Sequence, residues 1–85
     1  MPGISNIRAL LDAAEVPHIL LAEHLGLTKG DISLKLNLKD RWRTNQVPAL
    51  HEFLRRYCSD VGDLEWLLAL VNDDNDRVVN WRMRD

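Results

Sequence analysis

Five basic side chains fall between residues 29 and 43 and concentrate positive charge in that segment. They are Lys29, Lys35, Lys39, Arg41 and Arg43. Asp31 and Asp40 are the acidic residues of the segment, so its net charge is +3, whereas the whole chain carries −2. Local positive charge on an acidic protein directs a polyanion to one face and keeps the remainder soluble. These residue types therefore predict binding of a polyanion.

The side chains that most often act in catalysis or bind metals are few and scattered. His18, His24 and His51 have no cysteine or carboxylate partners at the spacing of a zinc site. Cys58 has no neighbouring motif that supplies a catalytic base, and the glycines form no phosphate-binding loop. We therefore expect no enzyme activity, no metal, no cofactor and no small-molecule substrate.

The bulk composition indicates one small globular domain of a cytoplasmic protein. The chain has 85 residues, of which 46% are hydrophobic and 28% are charged. Its single cysteine excludes an internal disulfide and suits a reducing compartment. No apolar run approaches the ~18 residues that a membrane span requires, so we expect no membrane partner.

Capping residues and apolar spacing predict three helices in the first half of the chain. Ser5 caps a first helix that ends near Glu15, and Pro17 lies in the first turn of a second. Gly26 ends the second helix, and Thr28 caps the third. The apolar residues around Gly26 do not fit one continuous helix, but they fit two helices that meet across a bend. They are Leu21, Ala22, Leu25, Leu27, Ile32 and Leu36.

A fourth helix is predicted after a loop. Residues 37–46 have no clear period and indicate that loop. Thr44 or Asn45 is the expected cap of the fourth helix, with Pro48 in its first turn.

A fifth helix and a tail complete the predicted organisation. Ser59 or Asp60 is the expected cap of the fifth helix, and the polar run 72–76 is its expected end. Residues 77–85 alternate apolar and polar side chains, which predicts a short strand or an extended arm.

The segment around the bend matches a known pattern. It reads Leu21-Ala22-Glu23-His24-Leu25-Gly26-Leu27-Thr28-Lys29-Gly30-Asp31-Ile32-Ser33. The pattern has Leu-Ala, two variable residues, an apolar residue, Gly, an apolar residue, Ser or Thr, three variable residues, an apolar residue and Ser. All of its fixed positions match, so residues 5–71 resemble the Cro and repressor family of phage-type helix-turn-helix proteins. The resemblance implies an all-α, five-helix, lambda-repressor-like domain at 1–76, a helix-turn-helix at 17–37 and a C-terminal arm at 77–85.

The resemblance also implies which residues read DNA bases. In the family, the start of the third helix enters the major groove. The residues carried over are Lys29, Gly30, Asp31, Ser33 and Leu34. Lys29 is able to donate to guanine, and Leu34 either packs on a thymine methyl group or is an ordinary exposed leucine. Asp31 either accepts from cytosine or serves the helix dipole.

A second set of residues is expected to hold phosphates. These are His18, Thr28, Lys35, Asn37, Lys39, Arg41 and Arg43. The basic loop is either a solvated charged loop or a phosphate clamp, with Trp42 anchored against the fold or the sugar-phosphate backbone. The family often has Asn-Gly after the third helix, whereas Asn37-Leu38 stands here, so the loop geometry departs from the family pattern.

Family members bind palindromic DNA as homodimers, so a homodimer is expected here. The candidate interface residues are Trp66, Leu70, Val79, Trp81 and Met83. Pairing of the tails as strands is preferred over pairing of helices. Alternatively, the two tryptophans pack within their own domain, or the chain is the DNA-binding part of a longer repressor that oligomerises elsewhere.

Two functions follow from these patterns. The first is a sequence-specific transcription regulator that binds double-stranded DNA in a bacterial or phage-infected cell. The second is a helical protein-interaction module, such as an antirepressor or adaptor, that has lost DNA binding; the acidic net charge motivates it. A neutral or negative face on the third helix would favour the second function.

Overall fold

The computed structural model describes the backbone of residues 4–83 and the side chains of residues 4–78. Within these limits the fold is all-α, as the sequence predicts, and residues 4–83 contain no strand. The helices are α1 (Asn6–Ala13), α2 (His18–Leu25), α3 (Lys29–Leu36), a 3-10 helix (Thr44–Gln46), α4 (Val47–Tyr57) and α5 (Leu64–Met83). Among the described residues, no helix combines the length and hydropathy that a membrane crossing needs.

The predicted caps set the starts of α1, α2 and α3. The Arg8 amide donates to the Ser5 hydroxyl at 3.0 Å. The Asp31 amide donates to the Thr28 hydroxyl at 3.1 Å. Pro17 precedes α2 directly. Each cap satisfies or removes an amide that the first helical turn leaves without a partner.

Three helices end in the same left-handed turn. Glu15, Gly26 and Leu38 follow α1, α2 and α3 with φ of 56°, 71° and 60°. The amide after Gly26 donates to the carbonyl of Ala22 at 2.8 Å, and the equivalent bonds after Glu15 and Leu38 measure 2.9 and 2.8 Å. This pairing satisfies carbonyls at a helix C-terminus. Only Gly26 adopts the left-handed conformation without steric cost among the three.

The last two helices begin later than predicted. The 3-10 helix occupies the region where α4 was expected to start, and α4 begins at Val47. The predicted caps of α5, Ser59 and Asp60, are wrong because α5 begins at Leu64. The Trp66 amide donates to the Asp63 carboxylate at 2.8 Å, so Asp63 supplies the N-terminal hydrogen bond.

Helix α5 also continues through the predicted polar stop and the predicted strand. Residues 72–76 are helical, and the helix ends at Met83. The strand or extended arm at 77–85 is therefore wrong for residues 77–83; residues 84–85 lie outside the described part. The buried residues Leu67, Val71, Asp74 and Val78 recur at helical spacing, and this period overrides the local alternation of two.

The core lies where the five helices converge. Of the six apolar residues around the bend, four are buried (Leu21, Ala22, Ile32 and Leu36), and Ala22 has 0% exposure. Leu25 and Leu27 are half-buried and pack against the same cluster. A small side chain at Ala22 suits the close contact of α2 with α3. Residues of the other helices complete the same cluster: Ile7, Leu11, Val47, Leu50, Phe53, Leu54, Leu67 and Val71.

The left-handed turn at Glu15 yields a stability prediction. We expect Glu15→Gly to stabilise the fold by about 0.5–1 kcal/mol, because a non-glycine residue there costs roughly 1 kcal/mol of steric strain. The melting temperature should rise by roughly 2–8 °C in a domain of this size. Ala9→Gly, an exposed change inside α1, is the control and should destabilise by about 1 kcal/mol. Equal losses of stability in the two variants would contradict the prediction.

Candidate nucleic-acid interface

Helix α3 has one buried and one exposed face. Ile32, Lys35 and Leu36 point into the fold. The five residues predicted to read bases are all exposed: Lys29, Gly30, Asp31, Ser33 and Leu34. Leu34 retains 44% of its surface, which is enough for an apolar contact with a ligand. The structure therefore brings the candidate base readers together on one surface.

Two polar residues predicted to hold phosphates already hold the ends of α3. Thr28 is exposed and caps the helix start through its hydroxyl. The Asn37 side chain donates to the Ser33 carbonyl at 2.9 Å and accepts from the Arg8 guanidinium. Asn37 thus joins the end of α3 to α1, which fixes the orientation of the exposed face.

The start of α2 lies beside α3 across a cleft of about 540 Å³. Among the residues that line it are His18, Lys29 and Ser33. His18 Nε2 lies 2.8 Å from Asp12 Oδ1. The hydrogen bond from His18 lowers the pKa of Asp12, burial opposes this, and the charges of His18 and Arg8 reinforce it. The predicted phosphate ligand His18 therefore lies next to a base-reading candidate, and Asp12 orients its ring.

Lys35 has a different role from the predicted phosphate contact. Its side chain is only 3% exposed. Its ammonium donates to Asp40 Oδ2 at 3.0 Å and to the Arg41 carbonyl at 2.7 Å. It also lies 5.8 Å from the centroid of the Trp42 ring, within cation–π range. The Lys35 ammonium therefore holds the loop from inside the fold and is not accessible to a phosphate.

The carboxylate that pairs with Lys35 is electrostatically stabilised. Burial acts to raise the pKa of Asp40, but the hydrogen bond and charge of Lys35 outweigh it. The Arg41 amide, which donates to Asp40 Oδ1 at 2.9 Å, and the charge of Arg43 act in the same direction. The net result is a lowered pKa for Asp40, so the ion pair persists at neutral pH.

Trp42 anchors the loop against the fold, which was one of its two predicted roles. Its side chain is 4% exposed and belongs to the core cluster. The Trp42 amide donates to Asn75 Oδ1 at 2.6 Å, and Asn75 Nδ2 donates to the Trp42 carbonyl at 3.0 Å. Both backbone groups of Trp42 are therefore paired with one side chain of α5.

Residues 38–43 alternate between the fold and the solvent. Leu38 and Trp42 are buried, and Asp40 pairs with Lys35. The side chains between them point outward and are exposed: Lys39, Arg41 and Arg43. With Lys29, they place four exposed cations around α3. The carboxylates of residues 29–43 are Asp31, which is exposed, and Asp40, whose side chain is 46% exposed and pairs with Lys35.

The predicted dimer residues are divided between described and undescribed parts. Trp66 and Leu70 are half-buried, and Trp66 packs against the core. Trp66 therefore buries part of its surface within its own domain, as one of the two predicted alternatives has it. The side chains of Val79, Trp81 and Met83 lie outside the described residues. Leu64 and Leu68 were predicted on the apolar stripe of the fifth helix and not in the dimer interface, but they are exposed, at 44% and 40%.

Asn75 and Asp74 are the residues that sequence reasoning missed. Both lie in the polar run that was predicted to end α5. Asp74 is 1% exposed and accepts a hydrogen bond from the Asn6 amide at 2.9 Å. The usable signal was the helical spacing of Leu67, Val71 and Val78, which puts position 74 on the buried face.

The remaining reactive groups form no site in the described part of the chain. Residues 4–78 contain no group of three or more His, Cys, Asp or Glu side chains arranged to hold a metal ion. Burial raises the pKa of the Cys58 thiol, which lowers its nucleophilicity. His24 and His51 lie within hydrogen-bond distance of backbone carbonyls, at 3.0 and 2.9 Å.

Comparisons with known proteins add no relative. No protein-family model matches this chain, and neither a curated protein nor a solved structure matches it.

The ion pair between Lys35 and Asp40 yields a pH prediction. Because the folded-state pKa of Asp40 is below its ordinary value of 3.8, the pair stabilises the fold above that value. Its contribution is lost as the pH falls through the folded-state pKa. We expect Asp40→Asn to destabilise by roughly 1–2 kcal/mol at neutral pH, since the buried ammonium loses a partner. The difference from the unmodified protein should shrink below pH 3.8.

Urea unfolding between pH 2.5 and 7 measures this effect. Asp60→Asn, a change at an exposed aspartate, is the control and should shift stability little at any pH. A pH-independent effect of Asp40→Asn would show that the charge of Asp40 is not what stabilises the loop.

Proposed function

We propose that this chain is a sequence-specific DNA-binding protein of the helix-turn-helix type that regulates transcription. In this proposal α2 and α3 are the two helices of the motif, and α3 lies in the major groove. The supporting observation is the division of α3: its predicted base readers are exposed together, and exposed cations surround them. The resemblance of residues 21–33 to the Cro and repressor pattern also supports this function, and we propose that the protein is a phage or bacterial repressor.

The proposed contacts use the chemistry of each side chain. Lys29 at the start of α3 donates to guanine O6 or N7, and Leu34 contacts a thymine methyl group. Arg41 and Arg43 in the loop bind phosphates on the flanking backbone. His18 adds a phosphate contact from the start of α2, where amides and the helix dipole also attract an anion.

The alternative function, a protein-interaction module without DNA binding, predicts a neutral or negative face at α3. The exposed charges there favour the DNA-binding proposal, because residues 29–43 keep four exposed cations against Asp31 once Asp40 is paired with Lys35. The negative charge of the chain as a whole resides elsewhere. An acidic remainder limits non-specific binding and does not oppose a local basic face.

Selection of duplex DNA from a random pool tests the proposal directly. The selected duplex is then titrated by fluorescence anisotropy at several salt concentrations. We expect the logarithm of the association constant to fall linearly with the logarithm of salt, with a slope of about −0.9 for each phosphate contact. No salt-sensitive binding at low micromolar protein would refute the DNA-binding function.

Two variants separate phosphate contacts from base contacts. Arg41→Gln should weaken binding to every sequence and reduce the salt slope by about 1. Lys29→Ala should relax the preference at one base pair by about 1–3 kcal/mol. Arg55→Gln on α4 is the control, since Arg55 is also exposed but lies outside the proposed interface. Equal effects of Arg41→Gln and Arg55→Gln would argue against the assigned contacts.

A homodimer is part of the proposal because a single α3 is short. Its eight residues span about 12 Å, which matches about four base pairs. Two copies on a palindrome would double the sequence that is read, with half-sites about 34 Å apart. Helix α5 is the proposed interface, since Leu64 and Leu68 are exposed on one side of it.

Sedimentation velocity tests this interface. Leu68→Arg should shift the unmodified dimer towards monomer, because a charge would have to be buried in the interface. Ala69→Arg, at the neighbouring exposed position, is the matched control. If Leu68→Arg remains as dimeric as the control, the exposed leucines of α5 do not form the contact.

A further inference from the structure

The basic loop at 38–43 is held by a residue that lies far away in the sequence. Lys35 and Asp40 hold its start through contacts within six residues. At Trp42 the backbone is instead held by Asn75, which is 33 residues away on α5. The loop therefore takes its shape from a helix outside the proposed motif.

The geometry at Trp42 is that of a paired amide. Asn75 Oδ1 accepts from the Trp42 amide at 2.6 Å, and Asn75 Nδ2 donates to the Trp42 carbonyl at 3.0 Å. An asparagine side chain provides both a donor and an acceptor at this spacing, whereas alanine provides neither. Because Trp42 is buried, loss of Asn75 would leave two backbone groups without these partners.

The residues on both sides of Trp42 carry exposed charges. Arg41 and Arg43 point into the solvent while the peptide between them is fixed. Their backbone is therefore ordered before any ligand arrives. A free loop would lose that conformational entropy on binding, so a fixed loop binds more tightly with the same contacts.

We propose that Asn75 is a positioning residue for the phosphate contacts of Arg41 and Arg43. The inference rests on the proposed DNA-binding function and extends it to a residue of α5 that touches no DNA. Asn75 acts by holding the Trp42 peptide, and the two guanidinium groups make the contact. Binding and loop order are reciprocally linked, so bound DNA should also protect the Trp42 amide.

The first experiment compares Asn75→Ala with Asn72→Ala, a change at an exposed asparagine one turn earlier on α5. Binding to the selected duplex is measured by anisotropy at several salt concentrations, after circular dichroism has established that each variant is folded. We expect Asn75→Ala to bind about 5- to 10-fold more weakly, with a salt slope smaller by about 1 or 2. Asn72→Ala should match the unmodified protein.

A second readout requires no DNA. Trypsin cleaves after Lys and Arg, so the rate at which products cut after Lys39, Arg41 and Arg43 appear, identified by mass spectrometry, reports on loop order in the free protein. The loop should be cleaved faster in Asn75→Ala than in Asn72→Ala. Asn75→Asp keeps the acceptor for the Trp42 amide but replaces the donor with a charged oxygen that faces the Trp42 carbonyl, so its loop should also be cleaved faster than that of Asn72→Ala. Asn75→Asp replaces Asn75→Ala in the cleavage comparison if Asn75→Ala does not fold.

A double-mutant cycle with Arg41→Gln separates positioning from general destabilisation. If Asn75 positions Arg41, Arg41→Gln should reduce affinity less in the Asn75→Ala background than in the unmodified protein. Equal losses in both backgrounds, with an unchanged salt slope, would overturn the inference while leaving the proposed function intact. Absence of DNA binding by the unmodified protein would overturn both.

Discussion

Helix α5 supplies two adjacent polar side chains on which the arrangement of the rest of the fold depends. Asp74 accepts from the Asn6 amide at the start of α1, where the helix leaves amides unpaired. Burial raises the pKa of Asp74, whereas the hydrogen bond from Asn6 and the Arg77 guanidinium lower it. Its net pKa is raised, so the charged form costs stability at neutral pH, and that cost falls as the pH drops through the folded-state value. The carboxylate is thus retained at a cost, and it fixes where α1 meets α5.

Hydrogen bonds connect the start of α1 to the end of α3, the helix that carries the exposed candidate residues. The Ser5 amide donates to the Leu36 carbonyl at 3.1 Å, and Arg8 donates to Asn37. The end of α3 is therefore tied to the start of α1, which Asp74 holds on α5. On the other side of the loop, Asn75 fixes the backbone of Trp42. Asp74 and Asn75 therefore help to hold the end of α3 and the loop that follows it, in addition to the packing of Ile32 and Leu36 in the core.

The first three helices were predictable because local rules decide them. Ser5 and Thr28 cap their helices through hydrogen bonds within three residues, and Gly26 adopts a conformation that few other residues tolerate. The loop and α5 were not predictable in the same way. Residues 72–76 look like a helix end in sequence, but the side chains of Asp74 and Asn75 contact residues 33 or more positions away. The polar run by itself does not distinguish a helix end from a helix that packs against distant backbone; only the apolar spacing of Leu67, Val71 and Val78 around it places position 74 on the buried face.

The charge of the candidate interface was predictable, but the roles of its members were not. A count of charged residues gives a net charge of +3 for positions 29–43, and it does not distinguish Lys35 and Asp40 from the exposed charged residues. In the structure these two pair with each other, with Lys35 buried and Asp40 partly exposed, so the net +3 corresponds to the four exposed cations and Asp31. The burial of Lys35 therefore does not weaken the positive face. The buried Lys35 ammonium donates to the Asp40 carboxylate and to the Arg41 carbonyl. These charge-assisted hydrogen bonds fix the backbone of the loop, from which the exposed Arg41 side chain extends.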